Sequence, residues 1–542
     1  MHTTARSATI SKFGRPAAHG TWSSQISATI AAPTRPHSFQ LAAWTSVHRQ
    51  RALPLVALAI VIIVGLVLRL RDLGSRSLWV DELFSVGLAA QTPSTVLTVL
   101  YGEEANMALY YGFMFAWARL VGVGADEVWM RLPSVLFGVA GLWALYRLGS
   151  RLDRPLTGLL AAGLAAVNAY HIEMSQEARA YTMWALLATL SWDSLIDALD
   201  SGQRRAWLRY VAWTTVAFYA HLFTLFLIVG QVSVVAMRSR MSEWRILIAS
   251  GVCVVALCTP FVPFFLSNSD GSQILHVRQS GPQDVYNLIQ LFAGASTPLF
   301  FTYALLALIG VAVSVRRAAL ARDRVAFGRA VAPLFWLLVP VLTIFLLSYV
   351  KPMFKERYLF GAMPAFPLLA AIGLSALRPV LMRPLVTLAV VGLALVPIAR
   401  GLEIRQSENW RAAVAYLDAS VQPGDGAIFI SKRGQLGYEY YADWLPGTRS
   451  HADRPEILEP FNWDALAASE EYYRALTAEG RAQLPEFAAR HPRIWLVLSH
   501  EFDSTFDGDT SETVRNWLSR RGYAVRQRPF QNVRVLLYER RT

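Results

Sequence analysis

Two adjacent carboxylates, Asp81 and Glu82, follow the first long apolar segment of the sequence. The side chains that flank them favour lipid or protein over water: Trp79, Val80, Leu83 and Phe84. Carboxylates among such neighbours are costly, because a charge loses its hydration in apolar surroundings. The pattern predicts the catalytic centre of a membrane enzyme. A surface acid pair beside an interfacial tryptophan is the plain alternative.

The composition of the chain indicates the kind of protein that carries this carboxylate pair. The 542 residues are 54% hydrophobic and carry a formal net charge of +13. Repeated uncharged runs near helix-spanning length predict a polytopic membrane protein. The arginines cluster between these runs, where membrane topology explains them, so no nucleic-acid partner is expected. Residues 1–50 are polar and are predicted to form a disordered cytoplasmic arm.

Apolar runs that end at charges, prolines or glycines predict eleven membrane-spanning helices. They are placed at 52–70, 131–149, 155–169, 178–197, 207–220, 222–237, 245–266, 298–315, 331–350, 358–376 and 380–399. With the amino terminus in the cytoplasm, every arginine-rich loop then falls on the cytoplasmic side, as the positive-inside rule requires. The expected fold is a polytopic α-helical membrane protein whose catalytic domain covers residues 51–400.

Two segments in this region need a special assignment. Segment 107–123 is apolar enough for the bilayer, but counting it as a span would turn every later arginine-rich loop outward. It is therefore predicted to lie at the outer membrane interface, within a first outer loop over 71–130. The runs 207–220 and 222–237 are short for two spans and are expected to turn at His221.

From residue 401 the apolar runs shorten and turn signals appear. Residues 401–542 are predicted to form an extracytoplasmic α/β domain that covers the outer cavity or contacts an acceptor. Helices are expected at 409–420 and 510–521, and strands at 427–431, 493–498 and 533–539.

Five motifs in the membrane half resemble the GT-C superfamily of glycosyltransferases. The likeness is strongest to the branch of the protein mannosyltransferases and the bacterial aminoarabinose transferases, families 39 and 83. The motifs are SLWVDELFS (77–85), NMALYYGFMFAW (106–117), RLPSVLFGVAGL (131–142), YHIEMSQEARAYT (170–182) and KERYLFGAMPA (355–365). One departure is Asn106-Met107-Ala108, where many relatives carry His-Pro-Pro.

The resemblance implies an inverting transfer of a single sugar from a polyprenyl-phosphate carrier to a lipid, glycan or protein acceptor of the cell envelope. It also implies a multi-pass protein of the bacterial plasma membrane with an extracytoplasmic active site. Asp81 is expected to be the general base. Glu82 is expected to orient the base or the sugar, and an ion pair with Arg71 or Arg76 is the alternative.

The leaving phosphate of such a reaction needs fixed cations. Lys351, Lys355 and Arg357 are predicted at an outer membrane end, where positive charge is otherwise disfavoured, and Arg179 lies in the second outer loop. These four residues are expected to bind the donor phosphate. Snorkelling of side chains at helix ends is the alternative explanation.

A last group of residues is expected to bind the sugar or the acceptor: His171, Glu173, Glu177, Tyr110, Tyr111, Tyr358 and His221. Glu173 and Glu177 would share one face if they were helical. The two adjacent tyrosines serve equally well as interfacial anchors. No cofactor is expected to be required, although a divalent cation between Asp81 and Glu173 is an option that some relatives suggest.

Two other functions remain as alternatives at this point. A polysaccharide ligase or polymerase acting on a lipid carrier would share the donor class and the sidedness. A transporter or flippase of lipid-linked sugars would also have many spans, but such proteins usually contain internal repeats.

Overall fold

Long apolar helices make up most of the chain in the computed structural model. The residues that the structure describes are 37–102, 104–238, 240–263, 279–401, 408–444, 454–466, 476–499 and 508–540. Most of the predicted amino-terminal arm, residues 1–36, lies outside this set, and the first helix begins at His37.

The first half of the chain contains eleven α-helices, of which the second to the fourth form the predicted first outer loop. They are α1 (His37–Leu70), α2 (Val80–Ala90), α3 (Pro93–Gly102), α4 (Ala108–Val121), α5 (Glu127–Leu152), α6 (Pro155–Ala166), α7 (Ala169–Ser175), α8 (Tyr181–Ser201), α9 (Arg204–Ala220), α10 (Thr224–Arg238) and α11 (Met241–Leu257) among the described residues.

The helical region continues with α12 (Pro282–Phe292), α13 (Thr297–Leu320), α14 (Arg324–Leu347), the 3₁₀ helix Glu356–Ala362, α15 (Ala365–Ala376) and α16 (Met382–Ala399). Each of the eleven predicted apolar runs overlaps a helix, and the last residues of the run 245–266, from 264 on, lie outside the described residues. Within the described residues, five helices are long and apolar enough to cross a membrane, and two bent pairs raise the number to seven. The protein is therefore a multi-pass membrane protein, while the count of eleven spans stays a prediction.

The predicted run at 155–169 is broken rather than straight. Helices α6 and α7 meet at 67°. The break lies at Asn168, whose side chain accepts a hydrogen bond from the His171 amide at 2.9 Å and donates one to the Phe292 carbonyl at 2.9 Å. One bond caps the first turn of α7, and the other satisfies a carbonyl at the carboxy-terminal end of α12. The bend turns the segment that follows α7 toward α2.

The carboxy-terminal residues form a small mixed sheet with helices. They contain α17 (Trp410–Ser420), β1 (Gly426–Ile430), α18 (Gly434–Glu439), β2 (Glu456–Ile457), α19 (Trp463–Leu466), α20 (Ala478–Arg490), β3 (Arg493–Ser499), α21 (Gly508–Arg520), β4 (Tyr523–Phe530) and β5 (Val533–Arg540). The strand order is β2-β1-β3-β5-β4. Strands β1, β2 and β3 run parallel, and β5 pairs antiparallel with β3 and β4.

The two faces of this sheet are buried against different partners. Successive side chains of a strand point to opposite faces. On β3, Ile494, Leu496 and Leu498 belong to a core made only by the carboxy-terminal residues. Trp495 and Val497, between them, belong to the large apolar core that also contains the membrane helices. One face of the sheet therefore packs toward the helical region.

Candidate active site

The two predicted catalytic carboxylates occupy the first turn of α2. This helix begins at Val80, so Asp81 and Glu82 lie near the backbone N–H groups that no intrahelical carbonyl satisfies. Negative charge is favoured at this end of a helix. The two side chains nevertheless point to different partners, as expected for neighbours about 100° apart around a helix.

Asp81 faces two arginines from distant parts of the chain. Its Oδ2 atom lies 2.8 Å from Nη1 of Arg357 and 3.9 Å from Nη2 of Arg179. Arg179 also donates through Nη1 to the Asp81 carbonyl at 3.2 Å and to Oγ of Ser85 at 3.2 Å. The guanidinium of Arg357 lies over the Trp79 ring, 5.4 Å from its centroid. The structure thus brings Asp81 together with two of the four predicted phosphate-binding cations.

Several polar atoms around this cluster are buried without a hydrogen-bond partner among the described residues. They are Nε of Arg179, Nε of Arg357, the Tyr181 hydroxyl and Nε2 of His221. The Arg179 guanidinium lies 6.0 Å from the centroid of the Tyr181 ring, and the His221 ring lies 6.0 Å from that of Tyr358, the neighbour of Arg357. A buried donor without a partner costs free energy, and such groups are rare in folded proteins. Their concentration beside Asp81 indicates a site that a polar ligand completes.

Glu82 forms a different and closed arrangement. Its two carboxylate oxygens accept from Nε and Nη2 of Arg131 on α5 at 2.8 and 2.7 Å, and the Ala178 amide donates to it at 2.8 Å. Both charged side chains are buried. The expected alternative partners, Arg71 and Arg76, were therefore wrong. Arg131 lies within an apolar helix, and this position was the signal that sequence reasoning missed.

The adjacent tyrosines of α4 differ in what they contact. The Tyr110 hydroxyl lies 3.1 Å from Oγ of Ser134 within the core. The Tyr111 hydroxyl accepts from Nη1 of Arg179 at 3.1 Å and lies 3.5 Å from Oε2 of Glu104. Tyr111 is therefore bonded directly to an arginine of the Asp81 cluster, whereas the Tyr110 hydroxyl bonds to Ser134.

The second predicted polar cluster divides into separate parts. Helix α7 ends at Ser175, so Glu173 and Glu177 do not share a helix face, and that expectation was wrong. Buried Glu173 lies 4.0 Å from Arg76. His171 accepts at Nδ1 from Arg69 at 2.9 Å beneath the α6–α7 bend, and Arg69 also donates to the Ala165 carbonyl. These contacts fasten the bend.

Two of the remaining predicted residues, His221 and Tyr358, lie close to Arg357, and the two lysines lie before the 3₁₀ helix. His221 lies in the turn after α9, stacked on Trp184 with ring centroids 4.2 Å apart. The Tyr358 ring lies 6.0 Å from the His221 ring. Lys355 directly precedes the 3₁₀ helix, and Lys351 lies in the turn after α14. Both lysines are half-buried, and their predicted phosphate role stays a prediction.

No group of three or more His, Cys, Asp and Glu side chains that could hold a metal ion occurs in the part of the chain that the structure describes. The cation between Asp81 and Glu173 stays a prediction, and no chemical step below uses it.

Carboxy-terminal residues hold the start of α2 from outside the membrane helices. The Glu408 carboxylate accepts from the Val80 amide at 3.1 Å, and the Tyr441 hydroxyl accepts from the Leu78 amide at 2.7 Å. Tyr441 also donates to Glu127 at 2.9 Å. Burial, together with the charge of Glu127, raises the pKa of Tyr441 well above its usual value. The neutral hydroxyl is therefore the form that holds Leu78.

Comparison with known proteins shows which fold this is. No family model matches the sequence, and none of the curated proteins matches it. The crystal structure of apo ArnT from Cupriavidus metallidurans is similar with a TM-score of 0.55, at 14% identity, over 90% of this chain and 98% of that one. The chain has the GT-C fold. The same bacterial ArnT bound to undecaprenyl phosphate matches with a TM-score of 0.54 at 14% identity, over 89% and 97% of the two chains.

The GT-C fold accounts for the order of the elements around Asp81. The carboxylate on α2, the arginine after α7 and the arginine of the 3₁₀ helix are far apart in sequence and meet at one end of the helices. The fold is the one that the five motifs predicted. At 14% identity the likeness covers the fold, and it leaves the substrate and the residue roles to be argued from the site itself.

Proposed function

We propose that this chain is an inverting glycosyltransferase that moves a single sugar from a polyprenyl-phosphate carrier to an acceptor of the cell envelope. The observation that carries the proposal is the pair of arginines beside Asp81, each with a buried Nε donor that lacks a partner among the described residues. The similar ArnT structure contains undecaprenyl phosphate, which supports the same class of donor here.

The two arginines have more hydrogen-bond donors than Asp81 and the neighbouring protein groups use, and a phosphate could accept from the rest. A guanidinium offers five donors in a planar fork that matches phosphate oxygens. Arg179 uses Nη1 and Nη2 on protein groups, and Arg357 uses Nη1. A phosphate beside them would accept from the two Nε atoms, and the Tyr181 hydroxyl would donate to it. In this proposal the arginines meet the charge that develops on the leaving phosphate.

Asp81 acts as the general base in the proposed reaction. Its carboxylate takes the proton of the acceptor hydroxyl while that oxygen attacks the anomeric carbon. The new bond joins the acceptor oxygen to this carbon, and the bond from the carbon to the phosphate oxygen breaks with its electron pair on phosphate. Attack from the face opposite the phosphate inverts the carbon. Glu82 contributes by holding α2 on Arg131.

Carrier binding tests the proposal directly. The protein in detergent is expected to bind undecaprenyl phosphate tighter than undecaprenol, which has the same chain without the phosphate. Arg357→Gln should lose this preference, because the guanidinium provides the phosphate contact. Arg209→Gln is the matched control, since Arg209 pairs with Asp197 at the other end of α8. Equal binding of both lipids to the unaltered protein would overturn the carrier assignment.

We also propose that the Asp81 cluster faces the outside of a bacterial plasma membrane, as the charge pattern predicts. In a variant without Cys253 and Cys258, a cysteine at Ser94 in the first outer loop should react with an impermeant maleimide in intact cells. A cysteine at Ala321, between α13 and α14, should react only after permeabilisation. The reverse pattern would place the cluster in the cytosol and contradict the proposed donor route.

A further inference from the structure

Resting on the proposed function, we infer that Arg433 of the carboxy-terminal region is a positioning residue for the donor-phosphate site. It would act on Arg179 through Glu104 and Tyr111. The carboxy-terminal residues would therefore be part of the active site and more than its cover.

The contacts form a continuous path from the sheet region to Asp81. Nη2 of Arg433 lies 3.3 Å from Oε1 of Glu104. Oε2 of Glu104 accepts from the Tyr111 hydroxyl at 3.5 Å, and that hydroxyl accepts from Nη1 of Arg179 at 3.1 Å. Arg179 then reaches Asp81 through Nη2 at 3.9 Å. Donors and acceptors alternate along the path, so each bond favours the next.

Arg433 also touches the helix that carries Asp81. Its guanidinium lies over the Phe84 ring, 4.7 Å from the centroid. Trp463, another carboxy-terminal residue, also packs on Phe84, with ring centroids 5.3 Å apart. Trp463 also packs closely on α2 at Gly87, where a Cβ would lie 3.0 Å from the Trp463 ring. Helix α2 is thus held on the same face by two residues of the sheet region.

The charges explain why Arg433 matters to Arg179. Glu104 lies between two cations, and its side chain is 22% exposed, so its interactions are only partly screened by water. With Arg433 present, the carboxylate is shared and Tyr111 is held between Glu104 and Arg179. Without Arg433, the charge of Glu104 would attract Arg179 away from Asp81 and from the phosphate position.

A double-mutant cycle on undecaprenyl phosphate binding tests the inference in the full chain. Arg433→Gln and Tyr111→Phe should each weaken the affinity for undecaprenyl phosphate by about tenfold, the effect of one charge-assisted hydrogen bond. The double variant should lose little more than the stronger single variant, because both changes interrupt one path. Arg433→Lys should restore part of the affinity, and binding of undecaprenol should not change.

Arg411→Gln is the matched control for docking of the two regions. Arg411 also comes from the carboxy-terminal residues, and it pairs with Glu127 at 2.5 Å outside the path. Its substitution should leave the affinity within about twofold. If Arg433→Gln does not fold, Arg433→Met replaces it in the cycle, because methionine keeps an apolar contact with Phe84 and removes the charge.

The outcomes separate the two proposals. If the unaltered protein prefers undecaprenyl phosphate and the losses of the two single variants simply add, the positioning role of Arg433 is wrong. An affinity that is unchanged in Arg433→Gln overturns it as well. If the unaltered protein shows no preference for undecaprenyl phosphate over undecaprenol, the proposed function itself fails.

Discussion

Both ends of helix α8 carry a dense group of charges, and the two groups differ in how fully they are paired. The ends lie about 30 Å apart for 21 residues at 1.5 Å per residue. At the carboxy-terminal end, Asp193, Asp197 and Asp200 each receive two arginine contacts. The pairs are Arg147 and Arg151 on Asp193, Arg151 and Arg209 on Asp197, and Arg238 and Arg329 on Asp200.

At the amino-terminal end of α8, arginines outnumber the carboxylates that pair with them. One carboxylate, Asp81, faces two arginines whose Nε donors find no partner among the described residues. Breaking a closed network is costly, because it leaves a charge without its partner. Buried donors without a protein partner are rare, and a bound ligand would satisfy them. In the proposed function, the paired end of α8 therefore serves the fold and the Asp81 end binds the donor.

The largest effect expected at the binding end comes from Asp81→Asn. The amide cannot accept the acceptor proton, so sugar transfer should fall by at least about a hundredfold, the usual contribution of a general base. Incorporation of labelled sugar into membrane acceptors measures this. Expression and undecaprenyl phosphate binding should persist, and near-normal transfer would move the base to another residue.

The next effect separates the two arginine groups. Arg357→Gln should weaken undecaprenyl phosphate binding by about ten- to a hundredfold, because a charge-assisted hydrogen bond contributes about 1.5–3 kcal/mol. The thermal unfolding midpoint should change little. If Arg357→Gln instead unfolds the protein and the folded molecules still bind undecaprenyl phosphate normally, Arg357 serves stability and the contrast between the two ends of α8 is wrong.

The paired end should give the converse result. Arg238 is buried and donates to the Glu243 carboxylate and to the Leu199 carbonyl. Arg238→Ala leaves buried carboxylate charge without its partner, which costs about 3–5 kcal/mol. The unfolding midpoint should fall clearly, whereas undecaprenyl phosphate affinity per folded molecule should stay unchanged. A selective loss of affinity would show that the paired end also serves binding.

The smallest effect tests a single buried acid in the carboxy-terminal region. Burial raises the pKa of Glu439 above its usual value. The folded state therefore holds the proton more tightly than the unfolded chain, and stability decreases as the pH rises through the raised pKa. Glu439→Gln should raise the unfolding midpoint at pH 7 by about 1 °C. The gain should disappear below about pH 4, where both states are protonated; a gain that does not depend on pH would contradict this cause.

Local features of the sequence were enough to predict much of the fold. The apolar runs matched helices, and the strands expected at 427–431, 493–498 and 533–539 were found at Gly426–Ile430, Arg493–Ser499 and Val533–Arg540. Such periodic burial is a property of neighbouring residues, so it can be read along the chain. The break between α6 and α7 was not predicted, because it depends on the bond from Asn168 to a distant carbonyl.

In the candidate site, too, local sequence features were predicted and contacts between distant residues were not. The motifs alone pointed to Asp81, Arg179 and Arg357, since each lies in a polar segment beside an apolar run. The contact of Glu82 with Arg131 and that of Arg433 with Glu104 were not predicted, because each joins residues far apart in the chain.

By itself the sequence determined which residues are charged, which runs favour the membrane and which motifs resemble the GT-C superfamily. Only the tertiary structure decided which charges are satisfied. Charge and hydropathy belong to each residue and its near neighbours, whereas a hydrogen-bond partner depends on where distant helices bring their side chains. Glu82 and Asp81 are adjacent in the chain, yet folding gives one a closed ion pair and the other an open site.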